Sequence, residues 1–297
     1  MFVIKKPSKV LFLGEHSAVY GFPVIGATMP LYMHFIYAFS SSWKYLGSPS
    51  LKIDEVICFI KNRFNKVRPI EFLIFSEIPV GVGLGSSASL SLCFAEYIIT
   101  HKEYENYDKI FLAREIENIF HSKSSGMDIL LIELDGTFYL ENKNNILYPK
   151  RIEPCNFYFL IGAVRREVET KRIISDLSQR ISFNKSLFKI IEKLGDITRD
   201  SYFAFSSRDF SSLVKNINIA NNCLNSLDLS SYSLGYIIRR GKEFKALAGK
   251  LSGAGRGGVF ILIFKEKHEA ITALKKLNKD IDKSNINLVL KLRVFKV

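Results

Sequence analysis

The chain has 297 residues, 47% hydrophobic and 24% charged, an ordinary globular composition with room for two modest domains or one large one. No apolar run approaches the roughly 18 residues needed to span a bilayer, and the opening MFVIKKPSKVLFLG has no cleavage-like site, so a cytoplasmic protein with no membrane partner is expected. Lys and Arg number 42 against 29 Asp and Glu, a net charge of +13 that invites a nucleic-acid reading. The basic residues are nonetheless scattered, as in KNRFNKVR (61–68), RREVETKR (165–172) and LKKLNKDIDK (274–283). That distribution favours a soluble surface that attracts small anions, with no nucleic-acid partner.

The first half reads as strand-rich. VIKKPSKVLFLGE (3–15), FPVIGATM (22–29), LYMHFIYAF (31–39) and EFLIFSEIP (71–79) alternate or carry β-branched and aromatic residues, which predicts four strands. Helical patterns follow at 86–104 and 108–121. Ser-rich patches at 39–50 and 205–213 read as loops or helix starts. A polar stretch, LENKNNILYPKRIEPCNF (140–157), separates the halves and places a domain boundary near 150, giving domains 1–150 and 151–297. The second half predicts a strand at 157–164, helices across 171–250, a strand at 258–264, a helix at 268–278 and a last strand at 287–295. The sum is an α+β fold.

Four cysteines, Cys58, Cys93, Cys155 and Cys223, lie far apart without CxxC spacing, so core thiols are expected and neither disulfides nor a zinc site. Histidine spacing offers no metal set either. Any metal is expected to be a hard cation held by oxygen.

The chemistry concentrates in IPVGVGLGSSASL (78–90). Gly81, Gly83 and Gly85 follow a strand and precede a helix opening on SSAS. Glycines let backbone N–H groups approach an anion, and a helix N-terminus adds free donors and partial positive charge. Ser86 and Ser87 can cap the helix or offer oxygen to a cation. The spacing is neither Walker A nor GxGxxG, and a tight strand-to-helix turn would use the same residues. Three more stretches bear on the choice. In KKPSKVLFLGEHSAVYG (5–21) a strand delivers Glu15 and His16 to a turn, with Lys9 upstream. In AREIENIFHSKSSGMD (113–128) Glu117 flanks an apolar helix face, where a carboxylate needs a partner or a cation, and Asp128 follows a Ser-Ser-Gly turn. KLSGAGRGGVFILIF (250–264) is a second glycine loop ahead of a buried strand. Singly, each also reads as surface, cap or turn chemistry.

Together the stretches resemble the motifs of the GHMP family of small-molecule kinases: PSKVLFLGEHSAVYG, IPVGVGLGSSAS, HSKSSGMD and LSGAGRGG, in family order from residue 5 to about 260. GEHSAVYG and the ETK at 169–171 resemble the branch that acts on mevalonate, whereas galactokinase-like members continue GEH with Thr-Asp. The resemblance implies two α+β domains with the active site in the interdomain cleft, ATP as co-substrate, Mg²⁺ as cofactor, mevalonate of the isoprenoid pathway as acceptor, and a homodimer. It also implies roles. Gly81, Gly83, Leu84, Gly85, Ser86 and Ser87 would bind ATP, and Ser87 with Glu117 would hold Mg²⁺. Asp128 would take the hydroxyl proton beside Lys9, and Glu15, His16 and Thr170 would face mevalonate. The chain departs from the family pattern at Ser8, Ser122, Ser124 and Arg256. Ser8 stands where glycine is usual in the first motif, with the lysine kept; Ser122 and Ser124 stand where glycine and proline are usual, which predicts a looser turn before Asp128. Arg256 interrupts a glycine run and would either contact phosphate or alter the backbone path. Two rivals remain at this point. One keeps the fold and takes phosphomevalonate or a sugar; the other is a non-catalytic nucleic-acid binder with strongly salt-dependent affinity.

Overall fold

The computed structural model describes residues 1–121, 124–144, 146–153, 157–166, 168–284 and 286–296; Cys155 and Ser122 lie outside them. The chain opens with β1 (Phe2–Leu13) and β2 (Val24–Phe39). A short β3 (Lys44–Tyr45), helix α1 (Leu51–Arg63) and β4 (Ile70–Ser76) follow. Three helices come next, α2 (Ser86–Ile99), α3 (Lys109–Phe120) and α4 (Met127–Leu134), then β5 (Thr137–Lys143) and β6 (Ile146–Ile152). These strands form one sheet in the order β3-β4-β2-β5-β6, with β1 also paired to β2.

Two strands were expected at 22–39, yet β2 runs unbroken through Pro30. Its first residues, Val24–Ala27, pair with β5, and Met33–Phe39 pair with β4. Pro30 falls between those two ladders, where its missing N–H costs neither of them a hydrogen bond. The polar stretch at 140–157 is mostly not a separator: it supplies much of the antiparallel β5–β6 hairpin. Its polarity suits an edge, since β6 ends the sheet and carries Pro149, Lys150 and Arg151. Helix α1 was not legible; Ser50 caps it by accepting from Ile53 N–H, and Ile53, Val56 and Ile60 form its buried stripe.

The rest of the chain is β7 (Tyr158–Val164), α5 (Thr170–Phe183), α6 (Lys185–Ser206), α7 (Phe210–Ser226), α8 (Tyr232–Glu243), β8 (Ala248–Ser252), β9 (Gly258–Phe264), α9 (Lys267–Asp282) and β10 (Leu288–Lys296). A second sheet has the order β10-β7-β9-β8, and its three neighbouring pairs are antiparallel. Helix was expected up to residue 250, but 248–252 is a fully buried strand. Small residues explain this: a side chain at Gly249 would collide with Leu262 of the neighbouring strand and crowd Ile238.

The chain forms two compact units, one of residues 1–9, 28–80 and 84–135, the other of residues 10–27, 81–83 and 136–297. In the first, Phe35 packs on Phe94 and Phe72 with ring centroids 4.9 and 5.1 Å apart, all three fully buried. In the second, every residue of β9 is buried, and the Phe12 and Phe159 rings lie 4.6 Å apart, tilted by 30°. Such ring pairs add about 1 kcal/mol each beyond the area they bury. Cys93 and Cys223 are buried thiols as expected, whereas Cys58 is exposed because it lies off the buried stripe of α1. No helix among the described residues is long and apolar enough to cross a membrane.

Candidate active site

In the first unit β1 runs beside Leu84, with Lys9 N–H donating to Leu84 O at 3.0 Å. Gly85 has φ +79° and forms the N-cap of α2; a side chain there would press on Lys9 Cγ at 3.0 Å and Ile132 Cδ1 at 3.2 Å. Glycine is thus required twice over, for the backbone turn and for the approach of the lysine. The N-cap offers no side-chain hydrogen bond, and Ser86 and Ser87 are the first helical residues, so neither serine caps α2 as the sequence had allowed. The first-turn N–H groups of α2 therefore have no side-chain cap and suit an anion. Ser8 is buried and its hydroxyl donates to Met29 O at 3.2 Å.

Lys9 is almost completely buried, and its Nζ lies 2.9 Å from Asp128 Oδ1. Asp128 sits in the first turn of α4, behind Gly126 at φ +77°, where the helix dipole favours a carboxylate. Glu117, on α3, is 4% exposed. Burial, and then the nearby charge of Asp128, push its carboxyl up to about 7, against the hydrogen bonds from Ser124 and Ser87 and the charge of Lys9. Ser124, where proline was usual, donates its hydroxyl to Glu117 Oε2. Its backbone is also tied: Ser124 N–H donates to Asn118 Oδ1 at 2.7 Å and Arg114 Nε donates to Ser124 O at 3.0 Å. Ser124 is therefore well anchored; the other residue on which a looser turn was expected, Ser122, lies outside the described residues. Ser87 Oγ also bonds His121 Nε2 at 2.9 Å.

The second unit holds Glu15 and His16. Glu15 is buried against Lys250 of β8, whose Nζ donates to Glu15 Oε1 and, at 2.6 Å, to Leu251 O. Burial holds the Lys250 amine below its usual range, with Glu15 opposing that shift. His16 adopts φ +61°, and its Nε2 bonds Ala254 O at 2.9 Å. Burial lowers its imidazole to about 4, the Ala254 bond opposes this, and the charges of Lys250 and Arg166 add to it. The ring is therefore neutral, with the proton on Nε2, because a carbonyl can only accept. Thr170 is the exposed first residue of α5, and its Oγ1 accepts from Arg166 Nη1 at 2.7 Å. Arg166 also donates to Gly81 O at 3.0 Å and to Val82 O at 3.2 Å. Arg256 adopts φ +48°, and its Nη2 lies 2.9 Å from Asp176 Oδ2 and 3.2 Å from Asp228 Oδ2.

The structure thus brings Lys9, Leu84, Gly85, Ser86, Ser87, Glu117 and Asp128 together in one unit. It brings Glu15, His16, Gly81, Gly83 and Thr170 into the other. Arg166, Lys250, Ser124 and His121 were not assigned roles from sequence. Each sits inside or beside a quoted motif; the partners of Lys250 and His121, and the two carbonyls held by Arg166, are distant in sequence, while Ser124 was marked only as a departure from the family pattern.

Residues 52–136 match the GHMP kinases N terminal domain, and residues 204–283 match the GHMP kinases C terminal family. The chain belongs to the GHMP kinase family. Membership implies ATP-dependent phosphoryl transfer. The mevalonate kinase of Methanocaldococcus jannaschii is 28% identical over 314 residues, covering 94% of this chain and 96% of that protein. Among solved structures, the L. major mevalonate kinase in complex with R-mevalonate has a TM-score of 0.81 at 19% identity, covering all of this chain and 96% of that one. The Streptococcus pneumoniae phosphomevalonate kinase in complex with phosphomevalonate and AMPPNP reaches 0.79 at 17%, covering all of both chains. Scores this close show a shared fold and leave the choice of acceptor to the site.

Proposed function

We propose that this protein is an ATP-dependent mevalonate kinase, forming 5-phosphomevalonate and ADP for isoprenoid synthesis. The observation that carries the reading is the Lys9–Asp128 contact at 2.9 Å in the same unit as Ser87, Glu117 and the uncapped first turn of α2. Phosphoryl transfer asks a protein mainly for positioning and charge stabilisation, and these groups supply both. The loop amides and the α2 N-terminus would hold the phosphates of ATP. Asp128 would accept the proton of the acceptor's primary hydroxyl as its oxygen attacks the γ-phosphorus and the bond to ADP breaks. Lys9 would orient Asp128 and offset charge on the transferring group.

The residues fit Mg²⁺. Glu117 is a buried carboxylate whose ionised form is disfavoured, with the Ser87 hydroxyl within hydrogen-bond reach. One carboxylate and one hydroxyl make a hard oxygen set of the kind Mg²⁺ shares with phosphates. Among the described residues, no group of three or more His, Cys, Asp or Glu could hold a metal unaided. Bound there, the ion would neutralise phosphate charge.

Mevalonate is favoured as acceptor by the GEHSAVYG and ETK stretches and by relatives of that name aligned over most of their length. Purified protein with Mg·ATP should release ADP when given mevalonate and not when given phosphomevalonate, galactose or homoserine, with Asp128→Asn as blank. ADP release with phosphomevalonate alone would move the chain to the rival acceptor. Salt-sensitive binding to RNA without ATP binding would restore the nucleic-acid reading.

A further inference from the structure

Arg166 follows β7, four residues before Thr170 opens α5. Its guanidinium spends donors on main-chain carbonyls: Nη1 on Gly81 O at 3.0 Å and Nη2 on Val82 O at 3.2 Å, with Nη1 also on Thr170 Oγ1 at 2.7 Å. The third glycine stretch leaves it room. A side chain at Gly258 would collide with the guanidinium, and a Cβ at Gly257 would come within 2.6 Å of Arg165 O. Both glycines have positive φ, at +108° for Gly257 and +81° for Gly258.

We propose that Arg166 is a positioning residue that sets the direction of the phosphate-loop amides. The peptide unit is planar and trans, so each N–H points opposite to the carbonyl of the preceding residue. With the Gly81 and Val82 carbonyls held on Arg166, the N–H groups of Val82 and Gly83 face the other way, as paired donors for an anion. The loop cannot choose this orientation alone. Gly81 and Gly83, at φ +79° and +99°, flank those peptide units, and glycine-flanked units rotate at little cost. A planar fork reaches two carbonyls at fixed geometry, which a lysine ammonium cannot reproduce. The positive charge of Arg166 is therefore secondary to its shape. This role lies outside the acceptor-facing and metal-holding residues assigned above.

The inference rests on residues 81–87 binding the phosphates of ATP, and the test separates the two ideas. Mg·ATP affinity is measured by calorimetry without acceptor for the wild type, Arg166→Lys and Arg166→Ala, alongside thermal melts and kcat. Losing two such hydrogen bonds should weaken ATP about tenfold or more. The expected result is that loss in both variants, although lysine keeps the charge, with partial recovery of Arg166→Ala by added guanidinium. An Arg166→Lys protein with wild-type ATP affinity would overturn the proposal, since charge alone would then suffice. So would a folded Arg166→Ala protein with unchanged affinity. If Arg166→Ala does not fold, Arg166→Lys decides. A wild type that binds no ATP would sink the phosphate-loop reading and the inference with it.

Discussion

Lys9 and Asp128 make an asymmetric pair: Nζ and Oδ1 are 2.9 Å apart, yet the lysine side chain is 4% exposed and the aspartate 35%. The ammonium is locked in by the strand that carries it, and the carboxylate keeps an open side from which a proton can arrive. Fixed charge behind an accessible base is the arrangement a hydroxyl acceptor needs.

Replacing Asp128 by Asn should lower kcat by about 10²–10⁴-fold while ATP affinity stays near wild type. It also removes the carboxylate that contacts the buried Lys9 ammonium, so the urea midpoint should fall. Lys9→Met added to Asp128→Asn should regain stability without regaining turnover. Wild-type kcat in Asp128→Asn would remove the base assignment.

Glu117→Gln should raise the Mg²⁺ concentration for half-maximal activity by roughly tenfold or more, by removing a buried carboxylate beside Ser87. Mn²⁺ titration followed by electron paramagnetic resonance reads the same site without turnover. An unchanged titration would take Glu117 out of the metal site.

Lys250 and Glu15 are buried together, so removing one partner strands the other. Lys250→Met should cost about 3–5 kcal/mol in a denaturant titration, and Lys250→Met with Glu15→Gln should recover a large part of that. A double-variant loss equal to the sum of the two single-variant losses would mean that the pair is not coupled.

His16 bears on pH. Its folded pKa, about 4, lies below the ordinary 6.5, so between those values the unfolded chain binds the extra proton. Its contribution is complete above pH 6.5 and is lost as pH falls toward 4, amounting to about 3 kcal/mol. His16→Asn should remove this part of the acid sensitivity, seen as a flatter stability profile from pH 6.5 to 4 relative to wild type. Parallel profiles would mean that His16 is not held neutral.

Much of this was legible in the linear order of residues. Strand alternation marked β1 and β4, continuous apolar runs marked β7 and β9, and a helical apolar period marked α3, because pattern follows from which faces are buried. The glycine stretch announced its own geometry: Gly81, Gly83 and Gly85 all take positive φ, which L side chains resist. The ordered motifs carried the family, with Glu117 eleven positions before Asp128.

The tertiary structure decided what depends on residues remote in sequence. Whether Pro30 breaks a strand was set by where two partner ladders stop and start. Whether 248–252 continued the helices was set by the neighbouring strand β9. The partner of Glu15 lies 235 positions away, and Arg166 reaches the Gly81 carbonyl across 85. Arg256, legible as an intruder among glycines, pairs with two aspartates from other elements. Local pattern encodes the exposure and backbone preference of a residue. Hydrogen bonds and ion pairs in a folded core join side chains by distance in space, and that distance exists only once the chain has packed.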